Sequence, residues 1–408
     1  MDLIIRQARL KDGAPLMDVG VEGGVIRAVT EHLPAFAPRE IQAGGRVLVP
    51  GLVEAHLHLE KALIKDRAPN RSGTLQEAIA VTAKLKPTFS EEDIYERARK
   101  ALTWLVRNGA THLRAHGEFD PSQGFTGFKV SLALKKEFRH CIDIQVCAFP
   151  QEGILKAPGT EAMMHEAMRM GADVCGGIPY NDTDPQEHID LVFRIAKEYG
   201  KDIDFHQDFA DDADNLSIEY LARKTIAEGY EGRVCVGHLT ALGAVPPDRL
   251  KDIAKLIADA GISVMCLPAT DMHLGGRRDA CNVRRTLTPV RALRDAGVNV
   301  CLASNNIRNA FTPYNNGDLM EIGMLAVAAC HLGGADDVVT VLPMLTTNSA
   351  RALNLKNYGL AEGCNADMVL LDTFSVADAV IDQPCKLCVI KNGRVVVERK
   401  VIEHCEFF

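Results

Sequence analysis

Val47-Leu-Val-Pro-Gly-Leu-Val53 runs without a charge into Glu54-Ala55-His56-Leu57-His58. In a β-strand alternate side chains share a face, so His56 and His58 point the same way and can hold one metal ion between them. The plain alternative is a pair of histidines facing solvent at a sheet edge. The uncharged run before them argues for a buried strand, where unpaired imidazoles are costly. Far downstream, His206 and His238 end two more apolar runs. A hydrolytic metal site is therefore the first expectation.

Eight short β-rich runs recur along the chain: Val47–His56, His112–His116, Ile142–Pro150, Asp173–Pro179, Ile203–His206, Arg233–His238, Ser263–Leu267 and Val298–Ala303. Amphipathic stretches such as Glu91–Asn108, His188–Tyr199 and Pro247–Gly261 separate them, and glycines such as Gly171 and Gly200 stand where helices would end. Strand and helix in alternation imply a parallel sheet with right-handed crossovers, and eight units imply a (β/α)8 barrel. Its catalytic groups would gather at the C-terminal ends of the strands. His56, His58, His116, Gln151, His206, His238 and Asn305 all fall at such ends. Outside the barrel, Leu3–Arg9, Val19–Val29, Ile41–Val47, Asp367–Leu371 and Leu387–Glu398 read as strands, the last with a turn at Lys391-Asn392-Gly393. Residues 1–50 and 358–408 are thus expected to form one small β-sandwich, and residues 51–357 the barrel.

The 408 residues, 47% of them apolar, suffice for a large core. A net charge of −8 spread along the chain offers neither a nucleic-acid footprint nor a polybasic membrane patch, so neither partner is expected. No stretch has the uninterrupted apolar length of a membrane span, and the first residues carry charges where a leader would be apolar, so the cytoplasm is the expected location. Of the 12 cysteines, Cys147, Cys175, Cys235, Cys266 and Cys301 lie within apolar runs and read as reduced packing residues. Cys385-Lys-Leu-Cys388 has the spacing of half a zinc site, but no second pair answers it.

Four ordered blocks, Gly51–Leu59, Ala148–Ile154, Met272–Arg277 and Asn348–Asn354, resemble the amidohydrolase superfamily, and within it the cytosine deaminase and N-isopropylammelide isopropylaminohydrolase group. The resemblance runs nearly end to end. It implies that His56, His58 and His206 bind one divalent cation, zinc or iron(II), and that His238 contacts the attacking water or the transition state. Gln151 matches a substrate-binding glutamine; His116, Asn306 and Phe311, at the same mouth, complete the expected substrate contacts. Self-association is expected from the resemblance alone. Lys61 matches a lysine of the ammelide enzyme and has no counterpart in cytosine deaminase.

Two positions depart from the family pattern. Asn305, in Ser304-Asn305-Asn306, stands where the family has a metal-binding aspartate, and Phe209 stands where cytosine deaminase has a proton-shuttling glutamate. An amide oxygen ligates weakly and is no base at neutral pH. The base must come from elsewhere, with His238, Asp208 and Glu118 as candidates. For each a plainer role is open: His238 as a hydrogen-bond donor to substrate, Asp208 as a helix cap, Glu118 as a partner of an arginine such as Arg114. Neighbouring Asn306 and Asn309 also replace aspartates of cytosine deaminase, so the whole loop departs together.

The expected activity is that of a metal-dependent aminohydrolase releasing ammonia from a small cyclic amidine such as cytosine, creatinine or a related pyrimidinone or triazine. The alternatives are opening of a cyclic amide, release of a substituted amine, and a catalytically impaired binding form.

Overall fold

The computed structural model describes residues 1–402 and 404–406. Its strands are β1 (Leu3–Ala8), β2 (Met17–Glu22), β3 (Val25–Thr30), β4 (Arg39–Gln42), β5 (Leu48–Pro50), β6 (Leu52–Leu57), β7 (Ala110–Glu118), β8 (Asp143–Phe149), β9 (Val174–Gly177), β10 (Asp202–Gln207), β11 (Val234–His238), β12 (Ser263–Cys266), β13 (Asn299–Leu302), β14 (Met368–Leu371), β15 (Lys386–Lys391) and β16 (Arg394–Glu398). Strands β6 to β13 pair in sequence order, all parallel, as an eight-stranded sheet. Every expected barrel run is present, with helices between.

The sheet closes on itself at Asn305. The Asn305 N–H donates to the His56 carbonyl at 2.9 Å, and the Asn305 carbonyl accepts the His58 N–H at 3.0 Å. Beside this seam the buried Glu54 carboxylate accepts the Ser304 N–H at 3.0 Å. The seam thus ties the two halves of the expected metal site together through backbone.

The first run needs a correction, because Val47–His56 is not one strand. Pro50 lacks an N–H, and a Cβ at Gly51 would lie 2.2 Å from Thr111 Oγ1, so only glycine lets the chain pass there. β5 joins a sheet of order β16-β15-β14-β5, while β6 enters the barrel. Likewise Val19–Val29 is a hairpin, since Gly23 and Gly24 take φ of 60° and 77°, the left-handed pair of a type I′ turn. β1 to β4 form a second four-stranded sheet. The two small sheets share a core of Leu3, Ile5, Val19, Val21, Met368, Leu370, Cys388 and Ile390, a sandwich built from both chain ends.

Helices form where caps and periodicity agree. In Glu91–Arg107, Ser90 Oγ accepts the Asp93 N–H at 3.1 Å, acids fill the first turn, and Ile94, Ala98, Ala101, Leu102 and Leu105 face the barrel. The helix Pro185–Tyr199 starts at an Asp184 cap and stops at Gly200, whose φ is 65°. Inside the lower barrel, Val53, Ala55, Cys235, Met265 and Cys301 pack together. Arg114, fully buried, is neutralised there by Asp204 at 2.8 Å.

At the N-terminal end of the barrel, Lys391 Nζ lies 2.6 Å from Asp143 and 2.7 Å from Asp367, with His112 Nε2 3.5 Å from Asp367. This cluster fastens the sandwich to the barrel. No helix among the described residues is long and apolar enough to cross a membrane.

Candidate active site

Pleating places His56 on β6, His58 one residue beyond it, His206 on β10 and His238 at the end of β11 on one barrel face, all buried. His206 Nε2 lies 3.1 Å from His56 Nε2 and 3.0 Å from His58 Nε2. Three ring nitrogens converging on one point cannot satisfy one another. Their fit to a cation is reinforced by Asn305 Oδ1, buried nearby with no hydrogen-bond partner among the described residues. Burial holds His56 and His206 well below the usual imidazole range, and burial together with Lys61 brings His58 down to about 3. All three are therefore neutral at pH 7, the form that ligates. A Cβ at Gly237 would come within 3.1 Å of His56 Nδ1, so the ring rests on bare backbone.

Asn305 has a φ of 61°, a left-handed conformation that asparagine tolerates. The asparagines after it form a network of their own: Asn309 Nδ2 donates to Asn306 Oδ1 at 2.7 Å, and Asn309 Oδ1 accepts the N–H groups of Phe311 and Thr312. A carboxylate at position 309 could not make the first of these bonds. The concerted departure of the loop thus has a physical basis.

Behind His58 lies a buried charge cluster. Glu118 Oε1 is 3.2 Å from His58 Nδ1 and bonded to Lys61, while Glu118 Oε2 is 2.7 Å from Lys86 Nζ, itself 3.0 Å from Glu152. Burial alone would raise the Glu118 carboxyl, but the two ammonium groups outweigh it and hold it well below the usual range. Burial, then the Glu118 charge, pushes neighbouring Glu60 well above it. His58, Glu60 and Glu118 lie close enough to share an ion. Lys61 and Lys86 already supply the positive charge there.

His238 Nδ1–H donates to Asp271 at 2.7 Å, and the Phe209 ring stacks on the imidazole with centroids 4.4 Å apart and planes 15° apart. A cavity is lined by the polar residues His58, Lys61, Gln151, His206, His238, Thr270, Asn305 and Asn306 and by Leu75, Ile79, Tyr180, Phe209 and Phe311. A cleft of about 170 Å³ shares Leu75 and Phe209 with it and reaches Arg277 and Arg278.

Four expected residues fall outside the cavity wall, and His56 is one of them, set behind it with its Nε2 turned to His206. His116 lies beneath His56, ring centroids 3.9 Å apart, with Nε2 3.3 Å from Asp204. The Asp208 carboxylate accepts the Ser217 N–H at 3.1 Å, the Ser217 hydroxyl at 2.8 Å and the Ile218 N–H at 2.9 Å, which caps the helix Ile218–Ala227. Glu118 reaches the cavity only through Lys61 and His58. The cation-facing side of Phe311 is taken by Lys61, 4.8 Å from the ring centroid. Asp271, Lys86 and Tyr180 had no assigned role in the sequence. Asp271 directly precedes the block Met272–Arg277, which was the one available signal; Lys86 and Tyr180 lie in segments without strand or motif.

The amidohydrolase family model matches residues 39–127 and 127–397. N-isopropylammelide isopropyl amidohydrolase of Pseudomonas sp. (strain ADP) is 32% identical over 410 residues, 98% of each chain. Pterin deaminase of Rhizobium rhizogenes (strain K84 / ATCC BAA-868) is 27% identical over 94% of this chain and 89% of its own. The structure of 5-methylcytosine deaminase from Klebsiella pneumoniae, liganded with phosphonocytosine, superposes with a TM-score of 0.94 at 35% identity, covering 99% of this chain and 100% of that one. With the barrel, its histidine cluster and these matches along nearly its whole length, the chain belongs to the amidohydrolase family.

Proposed function

We propose that the chain is a mononuclear metal-dependent aminohydrolase that cleaves an sp² C–N bond of a small cyclic amidine and releases ammonia. The carrying observation is the convergence of three neutral histidine nitrogens beside the His238–Asp271 pair. His56, His58 and His206 would hold the cation, with Asn305 Oδ1 as a neutral fourth donor; zinc and iron(II) both suit this nitrogen and oxygen set. Bound there, a divalent cation supplies Lewis-acid charge to acidify water and polarise the substrate.

The proton work falls to His238. With Nδ1–H committed to Asp271, Nε2 is the ring nitrogen left to take a proton from the attacking water and return it to the departing nitrogen. Asp271 fixes the tautomer and stabilises the imidazolium that forms between those steps. Glu118 orients His58 from behind, and Asp208 secures the loop that carries Phe209. Asn305 contributes an oxygen and no base.

Phe209, Tyr180, Leu75 and Ile79 favour a second reading, release of a substituted amine. An apolar wall beside His238 suits an alkyl group on the leaving nitrogen better than it suits free ammonia. The relative from Pseudomonas bears the name of such a hydrolase.

Elemental analysis of the purified protein, with ammonia and alkylamine release from cytosine, creatinine and N-alkyl aminotriazines, tests both. We expect one equivalent of metal and release of one of the two amines. Ammonia supports the first reading and alkylamine the second. Metal-loaded protein that releases neither would remove both.

A further inference from the structure

Lys61 is buried in the cavity wall, with its Nζ bonded to Glu118 and donating to Gln151 Oε1 at 2.9 Å. An ammonium has three donors and no lone pair, so the oxygen of the Gln151 amide must face it. The NH2 end of the amide is then turned away from the lysine. The Gln151 backbone is held as well, its carbonyl accepting from Asn181 Nδ2 at 2.8 Å. Glu118, braced by Lys86 at 2.7 Å, holds Lys61 in place. Two of the lysine's donors are spent on Glu118 and Gln151.

What remains for a ring entering the cavity is one ammonium N–H and the amide N–H groups, a wall made of donors. A glutamine free to offer both ends reads a lactam edge, since its NH2 meets the carbonyl and its oxygen meets the ring N–H. With that oxygen taken by Lys61, a ring N–H at this wall has no acceptor and is left buried and unpaired.

Resting on the aminohydrolase reading above, we propose that Lys61 fixes the polarity of Gln151 and that the pair selects azine rings presenting two adjacent acceptors. Such an edge is a carbonyl or oxyanion beside an unprotonated or ionised ring nitrogen, as in an acidic hydroxytriazine. Neutral lactams of the uracil type, in which no carbonyl has an unprotonated ring nitrogen beside it, are disfavoured. Lys61 is thus a specificity-determining residue for the site.

The test measures calorimetric affinity of the metal-loaded protein for two rings that lack a leaving amine, cyanuric acid as its monoanion and uracil, at pH 8. The wild type is expected to prefer cyanurate by about tenfold or more, the scale of one mispaired buried polar group. In Lys61→Met the amide is free to turn and the preference should fall towards unity. Gln151→Glu, which places a second acceptor at the wall while keeping the lysine paired, should reverse it in favour of uracil. An affinity ratio that persists in both variants overturns the proposal, as does an equal loss of both rings. Amine release is followed in parallel: wild-type turnover with an unmoved ratio removes this inference alone, whereas no wild-type turnover on any ring removes the reading beneath it.

Discussion

The two ends of the barrel carry clusters of similar residues with opposite outcomes. At the C-terminal end, His56, His58 and His206 converge, and Asn305 Oδ1 is without a hydrogen-bond partner among the described residues. At the N-terminal end, His112, Asp143 and Asp367 also come close enough to share an ion, yet Lys391 Nζ is already inserted between the two carboxylates. Residue type does not separate a metal site from a brace. The difference is whether the chain supplies the cation itself: Lys391 does so at one end, and in the proposed reading the other end receives its cation from outside.

Breaking the first end has the largest expected effect. His206→Ala should bring metal content from one equivalent to below about a tenth and lower turnover by about 10³-fold or more, read by elemental analysis and amine release. Breaking the second end should do the reverse. Lys391→Met leaves Asp367 buried without its partner, at a cost of about 3–5 kcal/mol in urea unfolding, while metal content per folded molecule stays at one. A variant that instead lost metal would show that the two ends are coupled.

Asn305→Asp sharpens the contrast by adding an anion to the receiving end. It should tighten metal binding by about tenfold in competition with a chelator, because a carboxylate replaces a neutral amide oxygen. The smallest effect is a pH dependence at the brace. Burial, then the Lys391 charge, holds His112 well below its ordinary 6.5. Below pH 6.5 the unfolded chain takes up a proton that the folded chain refuses, so this contribution is present above 6.5 and is lost as pH falls. Urea unfolding at pH 7 and pH 5 should show a smaller acid loss in His112→Gln than in the wild type, by about 1–2 kcal/mol.

The contrast also explains what the sequence revealed. Parallel strands buried on both faces read as apolar runs, so all eight barrel strands were visible, and strand ends located His56, His58, His206, His238 and Asn305. The break at Pro50-Gly51 was hidden because nothing local announces that Thr111 lies against Gly51. Asp208, which follows His206, is open in the sequence between a proton carrier and a helix cap; what the sequence does not show is that its partners are Ser217 and Ile218, brought back by a loop. Lys61 was visible as a family match, but its bond to Gln151 spans 90 residues, and that of Lys86 to Glu118 also joins separate elements. Contacts of that range come from the closed barrel, not from a motif.

The seam at Asn305 has a consequence for the order in which the molecule is made. Glu54 and Ser304, bonded across it, lie 250 residues apart. On the ribosome the strand bearing His56 and His58 emerges among the first and waits, with one edge open, for nearly the whole barrel to be synthesised. The two histidines leave before His206 exists to complete the proposed set, and Asn305 arrives last, closing the sheet and the proposed cation site in one step. Assembly of this histidine cluster is thereby timed to the end of barrel synthesis, when an incomplete pair becomes an enclosed set.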